Sequence, residues 1–393
     1  MLTFEEAIQT VLKHAKPLPP AYTPTEQAVG RALLEDVCSG IEMPPFDKSA
    51  VDGYAVRAGD LRAGCALKCL GVVQAGGNFK GALKPGCCVK IMTGAPVPAG
   101  ADAVVMVEYT SEKGGLVKFE EGIEKGANIA KRGEDIKKGQ LLLKRGTVIS
   151  VSHIAVLAAA GRGRVKTGAL PKVSLVNTGG EIVMPGKKLG RNQIYNSNGP
   201  MLSAMLRTDG INAAPVMVRD EAKKTRAALA AALKADIVLI SGGVSMGDYD
   251  LVPGVLKSLG VKTLFHKVRV RPGKPMLFGV KGRTLVFGIP GNPLANFLAY
   301  LAYIRPAIRK LGGRADYAPQ FLTGTCAAEF NPRTQRRALV LSRVTAKTEH
   351  SLVPVSNSGS ADILALAEAE GFTMVDEGGL IKKGGKAKFI TWA

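Results

Sequence analysis

The sequence predicts an α/β multidomain protein, with a doubly wound, mostly parallel sheet domain flanked on both sides by β-rich regions. Three observations predict it. Strand-like and helix-like segments alternate from about residue 170 to 315, as they do where crossover helices join parallel strands. Residues 38–150 lack that alternation and run in short Val- and Gly-rich segments. The length, 393 residues, exceeds what one hydrophobic core usually serves, so three or four structural units are expected.

The elements follow in chain order. Residues 4–13 read as a short amphipathic helix, and a second helical signal covers roughly 24–36, with Thr23 or Thr25 near its start. From 38 to 150 the runs ALKCLGVVQAG, CCVKIMTG and ADAVVMVEYT, separated by the turn signals KPG, KGG and KKG, predict an antiparallel β region. SVSHIAVLAAAG at 150–161 predicts a helix with a serine cap and a glycine stop. The alternating block then reads KVSLV strand, GPMLSAMLR helix, NAAPVMV strand, EAKKTRAALAAALK helix, DIVLI strand and a helical outline over DYDLVPGVLKSLG. Strand-like runs KTLFHKVRV, PMLFGV and RTLVFGI follow. PLANFLAYLAYIRPAIRKL closes the block as a helix, with Asn292 as cap and Pro293 at its first position. From about 318 to 393 short strands return, including RRALVLSRV, SLVPVS and AKFITWA, and predict a small β domain.

Composition narrows the function. The 53 basic and 32 acidic residues give a net charge of +21, which suits anionic ligands, nucleic acid or acidic membranes. With one Trp, 5% aromatics and no recognition motif, a nucleic-acid role rests on charge alone and no such partner is expected. The excess is concentrated: no acidic residue lies between Asp250 and Asp316, a stretch holding Lys267, Arg271, Lys274 and nine other cations. The N-terminal segment has acidic Glu5 and Glu6 and no apolar core, unlike a signal peptide, and no run is long enough to span a bilayer. A cytoplasmic protein without a membrane partner is expected. The spacing of the six cysteines is not that of a zinc site, and they read as free thiols.

Ligands of a doubly wound sheet bind outside the carboxyl ends of its strands. Four unusual loops fall at such ends: Thr178-Gly179-Gly180-Glu181, the run from Ser241-Gly242-Gly243 through Ser245 to Asp248, Arg271-Pro272-Gly273-Lys274-Pro275, and Gly288-Ile289-Pro290-Gly291-Asn292-Pro293. Glycines let backbone N–H groups approach a phosphate, and a following helix N-terminus favours negative charge. Any one loop could be a tight turn; four at one edge predict a phosphate site. Glu181, Asp220, Asp248 and Asp250 lie in or just after them, and carboxylates beside phosphates commonly hold Mg²⁺. Asp220 and Asp248 also read as helix caps. His14, His153 and His350 read as surface or packing residues, and His266 lies in the basic loop region. Walker, GxGxxG, HExxH and GxSxG motifs are absent.

The motifs PPFDKSAVDGYAV at 44–56, IMTGAPVP at 91–98, GADAVV at 100–105 with Glu108, and RGEDI at 132–136 join SGGVSMGD, RPGKP and GIPGNP in one order along the whole chain. Together they resemble the molybdopterin molybdenumtransferases of the MoeA type, relatives of the C-terminal domain of gephyrin. The resemblance implies an elongated homodimer of four-domain subunits: a helical and β linker domain from residues 1–44 and 134–168, an inserted β domain at 45–133, a molybdopterin-binding αβ domain at 169–316 and a C-terminal β domain at 317–393. It implies insertion of molybdate into adenylylated molybdopterin with release of AMP, in a cleft shared between subunits. Carried over residue by residue, the catalytic set is Asp52, Thr93, Asp220, Lys267 and Arg271. The substrate-binding set is Thr178, Gly179, Gly180, Ser241, Gly242, Gly243, Ser245, Lys274, Pro290 and Asn292. Mg²⁺ falls to Asp250 and Glu181, with Asp250 rather than Asp248 matching the metal aspartate by spacing. Arg271 departs from the lysine of some relatives and adds a planar fork suited to oxyanions. An adenylyltransferase on the same αβ fold would lack the long β insertion, and a scaffold like gephyrin would need further partner surfaces. The adenylyltransferase that makes the substrate is itself a possible partner.

Overall fold

The computed structural model describes all residues except 220, 245–250, 346–348 and 393. The chain divides into two compact units, one of residues 1–35, 146–151 and 164–393 and the other of 36–145 and 152–163. Among the described residues, no helix is long and apolar enough to cross a membrane.

The smaller unit is built on a six-stranded sheet in the order Ala103–Met106, Gly53–Val56, Cys87–Ile91, Ala66–Val73, Leu116–Phe119, Thr110–Lys113. Its pairs are antiparallel, as expected, with one exception: Ala66–Val73 runs parallel to Cys87–Ile91. Tyr54, Val56 and Cys88 face one apolar cluster, while Ala55, Val89 and Ile91 face another. A sheet covered on both faces reads as continuous apolar runs, which is why CCVKI and AVVM do not alternate cleanly with polar residues.

In the larger unit the sequence reading fails at 24–36. Only Thr25–Gln27 make a helical turn. Gly30 turns with φ +80°, and the N–H groups of Gly30, Leu33 and Leu34 donate to the carbonyls of Ile149, Thr147 and Lys166 at 2.8–2.9 Å. Pairing with segments more than a hundred residues away outcompetes a local helical tendency. Close by, Pro20–Pro24 pairs antiparallel with Arg164–Gly168.

The αβ sheet has strands β1 (Val173–Thr178), β2 (Pro215–Val218), β3 (Ile237–Ser241), β4 (Lys262–Lys267), β5 (Pro275–Lys281) and β6 (Thr284–Ile289), in the order β2-β1-β3-β6-β5-β4. The first four in that order are parallel; β5 and β4 are antiparallel additions at one edge. Along β3, Ile237 and Leu239 enter one core while Val238 and Ile240 enter the other. The first core receives the helices Asn198–Thr208 and Phe4–His14 together with the long helical run 293–311; the second receives Ala222–Ala232 and Leu251–Ser258. Helix Phe4–His14 starts at a capping box in which Thr3 and Glu6 satisfy each other's backbone N–H groups, and it buries Phe4, Ala7 and Val11.

The run 293–311 is helical from Pro293, but Tyr300–Ile304 widen into a π turn before Arg305–Leu311. Pro306 has no N–H and its ring would strike the carbonyl of Ala302, so a wider turn just before it accommodates the ring. The C-terminal strands Leu322–Cys326, Arg337–Val344, Ser351–Pro354, Gly371–Val375 and Lys386–Thr391 close on themselves, because Arg337–Val344 pairs with both Ser351–Pro354 and Gly371–Val375. The two-residue strand Val270–Arg271 joins that sheet alongside Arg337 and Ala338.

Candidate functional site

Three of the four predicted loops meet at the carboxyl edge of the parallel strands. A cleft of about 600 Å³ is lined by Thr178, Gly179 and Glu181 after β1, by Ser241, Gly242 and Gly243 after β3, and by Gly291, Asn292 and Pro293 after β6. The fourth loop opens a neighbouring cavity of about 680 Å³, where Arg271 and Lys274 face Arg336, and Asn292 lines both.

The chain is shaped for this approach. A Cβ on Gly242, whose φ is +94°, would lie 2.4 Å from the carbonyl oxygen of Thr178. Only glycine lets the β1 and β3 loops come that close. Asn198 then ties two loops together: its Nδ2 donates to the Gly291 carbonyl at 2.7 Å and to Ser241 Oγ at 3.2 Å. A third tie comes from β4, where His266 Nε2 donates to the Val244 carbonyl at 2.7 Å. A carbonyl only accepts, so that nitrogen carries the proton.

Among the described residues, several buried polar atoms at the cleft lack a partner: Thr178 Oγ1, Asn177 Oδ1 and Asn198 Oδ1. Buried polar atoms are normally satisfied, so unpaired ones at a cleft wall are suited to a ligand's hydrogen bonds. Asn177, Tyr195, Asn198 and Ile363 line the cleft as well and were not singled out as site residues from the sequence. The signal for the two asparagines was available, since each sits beside a glycine loop or a helix start. Ile363 comes from a distant segment that only folding brings near.

Asp52 and Thr93 lie in the smaller unit and are in contact there. Asp52 Oδ1 accepts from both the backbone N–H and the hydroxyl of Thr93, each at 2.7 Å. These two bonds, the backbone one first, hold the Asp52 carboxyl below the usual carboxylate range.

The remaining site residues fall as follows. Gly180 is exposed within the first loop. Pro290 is buried and its carbonyl accepts from Asn296 Nδ2 at 2.6 Å, so it anchors the start of the following helix. Lys267 is half-buried at the end of β4, where its carbonyl accepts from the Leu2 N–H at 3.2 Å. Asp220, Ser245, Asp248 and Asp250 lie outside the described residues. Among the described residues no three His, Cys, Asp or Glu side chains gather into a metal cage, and Glu181 is the carboxylate at the cleft. One protein carboxylate in a cleft walled by glycine loops fits a Mg²⁺ ion that keeps water and phosphate ligands, and does not fit a closed structural metal site. The six cysteines are free, as expected.

Known proteins resemble this chain over nearly all of its length. Residues 2–161 match the family model for the MoeA N-terminal region (domain I and II), and 175–310 match that for a probable molybdopterin binding domain. A molybdopterin molybdenumtransferase of Staphylococcus epidermidis is 31% identical over 96% of this chain and 92% of its own length. One from Staphylococcus aureus is 31% identical over 95% and 91%. Among solved structures, a molybdopterin biosynthesis MoeA protein from Pyrococcus horikoshii superposes with a TM-score of 0.79 at 30% identity, covering 100% of this chain and 99% of that one. With glycine loops gathered at the strand ends, Asp52 bound to Thr93, and near-complete coverage by such relatives, the chain belongs to the molybdopterin molybdenumtransferase family and is a transferase of molybdenum cofactor biosynthesis.

Proposed function

We propose that the protein inserts molybdate into adenylylated molybdopterin and releases AMP, acting in the cytoplasm as a homodimer whose sites are shared between subunits. The observation that carries this reading is the cleft itself. Three glycine loops and unpaired Thr178, Asn177 and Asn198 atoms converge where a phosphorylated ligand of a doubly wound sheet belongs. The subunit division we propose is a linker of 1–44 and 134–168, an inserted β domain at 45–133, the αβ domain at 169–316 and a C-terminal domain at 317–393.

Backbone N–H groups of the glycine loops would hold the pyrophosphate, and Lys274 and Arg271 would bind its charge or the oxyanion. Lys267 would add long-range positive charge from the end of β4. Mg²⁺, held by Glu181 and Asp250, would neutralise charge on the phosphate oxygens. Asp52, kept ionised by Thr93, and Thr93 itself would close the opposite wall from the partner subunit. Asp220 would orient substrate after β2. None of these residues becomes covalently attached, so positioning and electrostatics account for the rate.

The test is to incubate the protein with adenylylated molybdopterin and Mg²⁺, with and without molybdate. Molybdate-dependent AMP release is expected. ATP consumption without molybdate, and no AMP from the adenylylated pterin, would point instead to an adenylyltransferase.

A further inference from the structure

We propose a second anion site, remote from the pterin cleft, that takes a tetrahedral oxyanion of the sulfate, phosphate and molybdate class between Arg31, Arg207 and Arg309, with Arg314, already paired with Asp316, on the same wall. These four arginines line one cavity of about 440 Å³ in the larger unit, and none of its lining residues is shared with the cleft or with the Lys274 cavity.

The arginines come from separate elements. Arg31 follows the turn at Gly30; Arg207 ends the helix Asn198–Thr208; Arg309 ends the helix Arg305–Leu311; Arg314 lies just beyond it. A helix C-terminus favours a nearby cation, which accounts for Arg207 and Arg309 taken singly. It does not account for Arg31 and Arg314 arriving at the same cavity from elsewhere.

The carboxylates nearby are already engaged. Asp209 binds Arg305 at 2.9 Å and accepts from the Tyr300 hydroxyl at 2.6 Å. Asp316 binds Arg314 through two contacts, at 2.8 and 2.5 Å. Among the described residues, Arg31, Arg207 and Arg309 have no carboxylate within 4.0 Å, and the Nε atoms of Arg31 and Arg309 are buried without a partner. Arg31 Nη1 donates to the Thr23 hydroxyl at 3.2 Å. Burial disfavours the charged forms of both, and for Arg309 the neighbouring Arg314 adds to this, partly offset by Asp209 and Asp316. Guanidinium groups do not give up their protons in proteins, so the surplus positive charge is met from outside. Their planar forks match the oxygen edges of a tetrahedral dianion. Gly168 and Gly312, both lining the cavity, form a wall of main chain packed against main chain.

The experiment titrates sodium molybdate and, in a separate arm, sodium phosphate into the full-length protein by calorimetry at fixed chloride, with the Arg31→Gln and Arg309→Gln variants alongside. We expect parent protein to bind an oxyanion that each variant binds about tenfold more weakly or not at all, the loss of one charge-assisted contact. Thermal melts provide the second reading: the oxyanion should raise the midpoint of the parent more than that of Arg31→Gln, whose residue lies outside the helices. Lys274→Ala should retain this site, so failure of the cleft assignment is distinguishable from failure here. Equal binding by parent and both variants would overturn the proposal. So would unchanged oxyanion binding with loss of the dimer in the variants, since the arginines would then serve a partner's carboxylates.

Discussion

At the scale of single residues, Asp52 shows how two hydrogen bonds set a charge. Its carboxyl is held low chiefly by the Thr93 backbone N–H and then by the Thr93 hydroxyl. The folded value lies below the unfolded value of ~3.9, so the carboxylate's contribution to stability is present above that pH and is lost as pH falls through the depressed value. Thr93→Ala removes the smaller contribution only. The Asp52 midpoint, followed by carboxyl-carbon NMR, should rise part of the way towards the ordinary value; an unchanged midpoint would show that the hydroxyl does nothing there. Lys274→Ala should weaken adenylylated molybdopterin about tenfold or more, the loss of one charge-assisted contact of ~1.5–3 kcal/mol. Equal affinity in a direct binding assay would make that loop structural. Asp52 and Lys274 stand in short, local motifs, VDGYAV and RPGKP, which is what made them candidates in the sequence. The bonds that Asn198 and His266 make to the carbonyls of Gly291 and Val244 were not legible there, since sequence distance hides them.

At the scale of elements, the loops and the helices make different demands. Gly242→Ala should destabilise the protein by about 1–3 kcal/mol from backbone conformation alone, with a further cost from displacing the Thr178 carbonyl. Gly291→Ala, in open space at an ordinary φ, should stay within about 1 kcal/mol of the parent. Denaturant midpoints compare the two, and equal midpoints would remove the close approach from the account. In the long helical run, Tyr300 donates to Asp209 from a buried position, and burial pushes its phenol well above its usual range. Tyr300→Phe leaves Asp209 to Arg305 and should cost about 1–3 kcal/mol by chemical denaturation. The alternating block was readable because its central strands are buried on both faces and the last helical run opens on Pro293. Residues 24–36 were not, because a segment's own periodicity does not reveal that Thr147, Ile149 and Lys166 will take its hydrogen bonds. The parallel pairing of Ala66–Val73 with Cys87–Ile91 was hidden for the same reason: direction is fixed by the crossing segment, not by composition.

At the scale of the whole molecule, the proposed sharing of sites between subunits can be tested by mixing. Asp52→Ala and Asp250→Ala should each be nearly inactive as homodimers. Random reassortment of equal amounts makes about half of all dimers hybrids, and a twofold hybrid has one site free of both lesions. AMP release should recover to roughly a quarter of the parent level. No recovery in a mixture shown to contain hybrids would mean that each site is built within one chain, or that Asp52 does not belong to it.

The contact between Gly168 and Gly312 reaches further than its size suggests. A Cβ on Gly168 would lie 1.7 Å from the Gly312 carbonyl oxygen, so the main chain touches itself there. The polypeptide thus enters and leaves the αβ sheet through a single gate, and the segment matching the molybdopterin-binding family model, 175–310, lies wholly within it. A stretch whose two ends already meet can be exchanged for a relative's with its ends in place, provided that its faces still match helix Phe4–His14 and the C-terminal strand Arg337–Val344. Seen this way, the chain is a frame with a cartridge, and recombination has a natural place to cut.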